Sequence, residues 1–132
     1  MNDKFSISVD RRFGIVRIAM RDFFTREDLD AFVEARRKAH EELGWPRNAH
    51  VTLNDVREMK IQAQEIVDEF QRILSDPQYR SRRLAFVAKA TLARLQLERG
   101  LAGRPGTRCF EGPAEGEAWL FGEESQPIRR VG

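Results

Sequence analysis

The sequence predicts an α/β fold: a mainly parallel five-stranded sheet with an N-terminal hairpin, in the order β-β-α-β-α-β-α-β-α, with helices mostly on one face. Three observations predict it. The opening stretch "KFSISVD" alternates apolar and polar residues with the period of a half-buried strand. From the second strand onward, strand-like runs alternate with helix-like runs, which requires right-handed crossovers and parallel pairing. The helix-like runs repeat apolar residues every three or four positions, and their ends carry capping residues.

Each element has its own local reason. Phe5, Ile7 and Val9 alternate with Ser6 and Ser8 in the first strand. "RRFG" follows, and Gly14 can supply a turn dihedral closed to other residues. "IVRIAM" is the second strand, close enough to pair as an antiparallel hairpin. "TRED" opens the first helix as a capping box, with Thr25 as cap and Asp28 reaching back. Leu29, Phe32, Val33, Ala39 and Leu43 form its apolar stripe, interrupted only by Arg36, and "GWPRN" ends it. "HVTLND" is the third strand: Val51 and Leu53 point one way, His50, Thr52 and Asn54 the other. The next helix sets Ala63, Ile66, Val67, Phe70, Ile73 and Leu74 on one face, and "SDP" stops it. "RLAFVA" is a continuous apolar run, as buried strands are. "TLARLQLERG" is a helix with Thr91 as its cap, ended at Gly100 or Gly103. "TRCF" is a short last strand, and Pro113 opens a helix anchored by Ala118, Trp119 and Phe121.

The first and third strands each show a polar side, whereas parallel sheets usually bury both faces. A stack of helices on one side accounts for this and leaves the other face for solvent, a dimer contact or a binding surface. Residues 1–122 form one domain, and 123–132 a flexible polar tail.

Composition narrows the function. Of 132 residues, 41% are apolar and 33% charged, the balance of a soluble globular domain. No apolar run spans a membrane, and "MNDKFSISVDRR" lacks the core of a signal peptide, so the cytoplasm is the expected location. A net charge of +2 is too small for a nucleic-acid footprint. The basic clusters Arg11-Arg12, Arg36-Arg37-Lys38 and Arg80, Arg82, Arg83 read as solvated helix faces and loop ends. Cys109 is the only cysteine, so an intrachain disulfide is impossible, and it reads as a small buried hydrophobe. No Gly-rich phosphate loop, no HExxH or paired-Cys zinc pattern and no GxSxG elbow is present, so neither cofactor nor metal is expected. His40 reads as a surface histidine and His50 as the start of the third strand.

In open α/β sheets ligands gather beyond the carboxyl ends of the strands. There the sequence places Arg21 and Asp22, then Asp55, Arg57, Glu58 and Met59, then Lys89 and Thr91, then Glu111. Phe23 and Phe24, adjacent before the first helix, are apolar candidates for the same rim, although Phe24 before the Thr25 cap also fits a hydrophobic staple. Asp55 and Arg57 can pair with each other, which favours a structural ion pair over acid–base work.

Four stretches carry a family resemblance: "FGIVRIAMRDFFTREDLDAF", "LNDVREM", "RRLAFVAKATLARLQLERG" and "RCFEGPAEGEAWL". Together they resemble the SpoIIAA-like fold of anti-sigma factor antagonists and STAS domains, in particular the bacterial STAS/SEC14-like branch. The resemblance implies a small nonenzymatic domain acting through protein contacts, as a homodimer or with one partner, at the "DVREM" loop and the following helix. Anti-sigma factor antagonists are switched by phosphorylation of a Ser or Thr at the start of that helix. Here Leu53 to Leu74 contains no Ser, Thr or Tyr, so that switch has no attachment point. The SEC14-like label implies a second reading, a carrier or sensor of a small apolar or lipid-like ligand. A third, remote reading is an enzyme using the charged rim of Asp55, Arg57, Glu58 and Lys89.

Overall fold

The computed structural model describes residues 2–89, 94–95, 98–99 and 106–122. Its sheet is formed by β1 (Phe5–Asp10), β2 (Ile15–Asp22), β3 (Val51–Met59), β4 (Arg83–Val87) and β5 (Thr107–Phe110), ordered in space as in sequence. β1 pairs antiparallel with β2, and the remaining pairs are parallel. The described helices are α1 (Arg26–Leu43), α2 (Gln64–Leu74) and α3 (Pro113–Gly122), with a single 3-10 turn at Pro77–Tyr79. Of the helix expected to open at Thr91, residues 94–95 and 98–99 are described and are helical, whereas Thr91 itself and the polar tail lie outside the described residues.

The hairpin closes as its sequence requires. Asp10 accepts hydrogen bonds from the Arg12 and Phe13 backbone N–H groups through its carboxylate, and Gly14 sits at φ +69°. The capping box is present: Thr25 accepts from the Asp28 N–H, and the Asp28 carboxylate accepts from the Thr25 N–H at 2.8 Å. Asp28 also accepts from Lys4 Nζ and Asn2 Nδ2, which ties the chain ahead of β1 to the start of α1. Burial would raise the Asp28 carboxyl, but these hydrogen bonds outweigh it and hold it well below the usual carboxylate range.

One sheet face packs under α1 and α2. Val16, Ile18 and Met20 of β2 meet Phe24, Leu29, Phe32, Leu43 and Ile66 there, with Phe5, Ile7 and Val9 of β1 beside them. Val33 falls off the α1 stripe and is exposed. The opposite face packs under α3, where Ile15, Val51, Leu53, Ala85 and Val87 surround Leu120.

Four sequence expectations are corrected by this packing. β3 continues to Met59, because β2 keeps pairing past a bulge between Ala19 and Arg21, opposite Glu58 and Met59. Arg21, Asp22, Asp55, Arg57 and Glu58 are therefore strand residues and not loop residues. The polar side of β3 does not mark a bare face: Thr52 and Asn54 are buried on the α1 side. α3 is seated by Gly116 and Leu120 with Trp119 half-buried, whereas Ala118 is exposed and Phe121 is partly so. Finally, Arg36 is not on a solvated helix face but buried.

Candidate functional site

The carboxyl ends of the parallel strands carry the residues the sequence singled out. Asp55 and Arg57 form a bidentate pair, Nε to Oδ1 at 3.0 Å and Nη2 to Oδ2 at 2.6 Å. Burial would raise Asp55, but the Arg57 hydrogen bonds outweigh it and lower its carboxyl, while Asp55 raises the guanidinium in turn. Lys89 Nζ lies 3.6 Å from Glu58, both exposed. Thr91 lies outside the described residues. Phe24 is 4% exposed and packs at ring distances of 5.5 Å from Phe70 and 6.4 Å from Phe5, in the core beside Leu29 as a staple does. Met59 is half-buried against the same core, whereas Phe23 is 58% exposed.

A residue the sequence reading passed over organises this rim. Gln62 is buried, and its amide spans two loops. Its Oε1 accepts from the Phe24 N–H at 2.8 Å, and its Nε2 donates to the Asp22 carbonyl at 2.9 Å and the Lys60 carbonyl at 2.6 Å. The Lys60 N–H also donates to Asp22. The loops after β2 and β3 are thereby locked side by side, each presenting one exposed apolar side chain, Phe23 and Ile61.

A second polar site lies at the other end of the sheet. A cavity of about 230 Å³ opens between α1, the end of α2 and the amino ends of β3, β4 and β5. Its floor is Ile18, Phe32, Thr52, Asn54 and Leu84, all buried, and Asn48, Arg80 and Gly106 at its mouth are exposed. Arg36, Arg80 and Arg82 line it, and no carboxylate does among the described residues. Arg36 comes from the one break in the α1 apolar stripe. Its guanidinium lies 4.5 Å over the Tyr79 ring, donates to the Ile73 carbonyl at 3.0 Å, and faces Asp76 at 4.0 Å. Burial lowers its pKa, against the pull of Asp76 and Tyr79, yet a guanidinium stays charged in any protein environment.

His40 and His50 meet at this end. Their rings stand edge to face at 4.7 Å, and His40 also lies 5.0 Å from Tyr79. His40 is thus not a surface histidine: α1 carries it onto the residue that precedes β3. Burial, reinforced by Arg36, pushes His40 down to about 4. Burial, with the neighbouring His40 and Arg82 charges, does the same to His50. Ser81 joins Thr52 at 2.5 Å and His50 Nε2 at 3.2 Å. The Ser–His contact lacks the marks of an activated nucleophile: a histidine with so low a pKa is a weak base, and among the described residues His50 Nδ1 has no partner to orient it.

Arg36 Nε and Asn54 Oδ1 are likewise buried without a hydrogen-bond partner among the described residues. Each such group costs about 1–3 kcal/mol when left unsatisfied. Such groups cluster where something else completes them. Cys109 is half-buried in β5, and burial, with the Glu98 charge adding to it, raises its thiol above the ordinary value. Among the described residues no cluster of three His, Cys, Asp or Glu side chains could hold a metal ion. Nor is any described helix long and apolar enough to cross a membrane.

Comparison with known proteins bears on the fold. No family model matches the sequence, and no curated protein matches it. Among solved structures, the chain is similar to an uncharacterized protein of the DUF3478 family with a SpoIIAA-like fold, from Shewanella loihica. The two superpose with a TM-score of 0.68 at 16% identity, over 88% of this chain and 91% of the other. The chain therefore has a SpoIIAA-like fold, as its four sequence stretches imply.

Proposed function

We propose that this chain is a nonenzymatic interaction module of the SpoIIAA-like fold, and that a protein partner or a second copy meets it at the carboxyl ends of β2 and β3. One observation carries the reading: Phe23 and Ile61 are exposed on two loops that the Gln62 amide locks together. A surface held rigid before binding loses little conformational entropy when a partner docks. Exposed apolar groups beside a charged rim have the anatomy of a contact patch. Asp55–Arg57 and Glu58–Lys89 would supply that rim.

The same geometry argues against catalysis there. Asp55 and Glu58 at this end are engaged with cations, and among the described residues no nucleophile stands beside a base there. The stretch from Leu53 to Leu74 offers no hydroxyl for a phosphate, so partner exchange on α2 would run without phosphorylation of that helix. The described cavity sets Thr52 and Asn54 among apolar side chains on its floor and arginines on its walls, which favours a compact charged occupant over the apolar ligand of the carrier reading.

The test compares the wild-type chain with the Phe23→Ser/Ile61→Ser double variant, and separately with Arg57→Glu/Glu58→Lys. Proteins captured by each are identified by mass spectrometry, and self-association is followed by sedimentation. The reading expects both variants to lose the same partner, or the dimer, while keeping the wild-type Tm. If both variants retain every partner of the wild type, the surface is not the contact site.

A further inference from the structure

We propose that the cavity at the amino end of the sheet binds a small oxyanion-bearing molecule, a carboxylate or a phosphate. This goes beyond the interaction reading and stands apart from it, because the two sites occupy opposite ends of the strands. Three features of the cavity point to such a ligand.

The first is charge. Arg36 and Arg80 line the cavity, and no carboxylate among the described residues lines it with them. Among the described residues the nearest counter-charge to Arg36, Asp76, stands 4.0 Å away and is itself partly exposed. A buried guanidinium so weakly paired favours an anion beside it. The second feature is unfilled bonding capacity. Arg36, 7% exposed, keeps Nε unpartnered, and Asn54, 3% exposed, keeps Oδ1 unpartnered. An oxyanion with a neighbouring hydroxyl would offer an acceptor to the first and a donor to the second. The third is size. A volume of about 230 Å³ equals the space of roughly eight water molecules, which suits a compact acid and not an acyl chain.

Arg80, exposed at the mouth, would draw the anion in, and Arg36 at the wall would hold it. Thr52 and Ser81, hydrogen-bonded to each other at 2.5 Å, place further hydroxyl groups on the lining. Neutral His40 leaves the positive charge to the arginines alone.

The experiment titrates the full chain at low salt with inorganic phosphate, succinate and L-malate, with erythritol as a neutral control of similar size. Calorimetry and Tm are read together. The proposal expects at least one dianion to bind with Kd below about 1 mM and to raise Tm, while erythritol does neither. Malate above succinate would assign a donor to Asn54, and phosphate above both would assign a phosphate ligand. Arg80→Glu, at an exposed position, is expected to weaken that binding roughly tenfold without lowering the Tm of the free protein. Asn54→Asp, isosteric with the native residue, is expected to abolish it. No response to any of the three anions at about 10 mM, or an equal response in Arg80→Glu, would overturn the proposal and leave a cavity that holds water only.

Discussion

Two histidines ten positions apart carry a pH dependence that neither would have alone. His40 and His50 lie ring against ring, and burial holds both near 4 against an ordinary 6.5. As pH falls from 6.5 toward 4, the unfolded chain takes up protons that the folded chain refuses. Stability is therefore full above 6.5 and is lost as pH falls through that window, by on the order of 3 kcal/mol per histidine at most. Asp28 and Asp55 act in a lower window: their carboxyls are depressed when folded, so their contribution is present above the ordinary carboxylate pKa of 3.8 and is lost below it. Urea titrations from pH 7 to pH 4.5 should show a falling unfolding free energy, and His40→Gln should flatten that slope. A flat profile in the wild type would mean that both histidines titrate as exposed groups.

Among the elements, α1 shows most directly how local chemistry becomes tertiary structure. Thr25 and Asp28 begin the helix, and Asp28 then collects Lys4 and Asn2 from ahead of β1. The cap is thus also a tether between the hairpin and the helix that covers it. Thr25→Ala should cost about 1 kcal/mol, the usual worth of a cap, and Thr25→Ser should restore most of it. Asp28→Ala should cost more, because it strands the Lys4 ammonium and the Thr25 N–H together. Chemical denaturation measures all three, and equal stability for Asp28→Ala and Thr25→Ala would show that the tether contributes nothing. β3 teaches the converse lesson. Its first half follows its own alternation, but its second half, through Met59, exists because β2 keeps offering partners beyond the bulge.

For the whole molecule, the decisive contact is that of α3 with the sheet. Gly116 is the point of closest approach: a Cβ there would lie 2.9 Å from Leu53 Cδ1 and 3.6 Å from Ala85 and Phe110. Gly116→Val should lift the helix and cost about 1–3 kcal/mol by overpacking. The Arg17–Glu117 pair one residue along stays partly open to solvent, so Glu117→Ala should change stability by about 1 kcal/mol or less. Comparing the two by urea unfolding separates packing from charge, and a neutral Gly116→Val would mean that α3 is loosely seated.

Sequence alone determined the order of elements, the parallel sheet with its hairpin and the Thr25 cap, because periodicity and capping are local and each is written in a few adjacent residues. The Asp55–Arg57 pair was legible for the same reason, since it spans two residues, whereas the end of β3 depended on its pairing with β2. Tertiary structure alone decided the rest. The cavity gathers residues from α1, β3, the 3-10 turn and the segments before β4 and β5, so no window of sequence contains it. Its traces were single anomalies, the Arg36 break in an apolar stripe and Thr52 and Asn54 on a strand side read as not covered by helices. A polar residue reads as exposed until the fold places a helix over it, and only three-dimensional packing assigned these to a buried site.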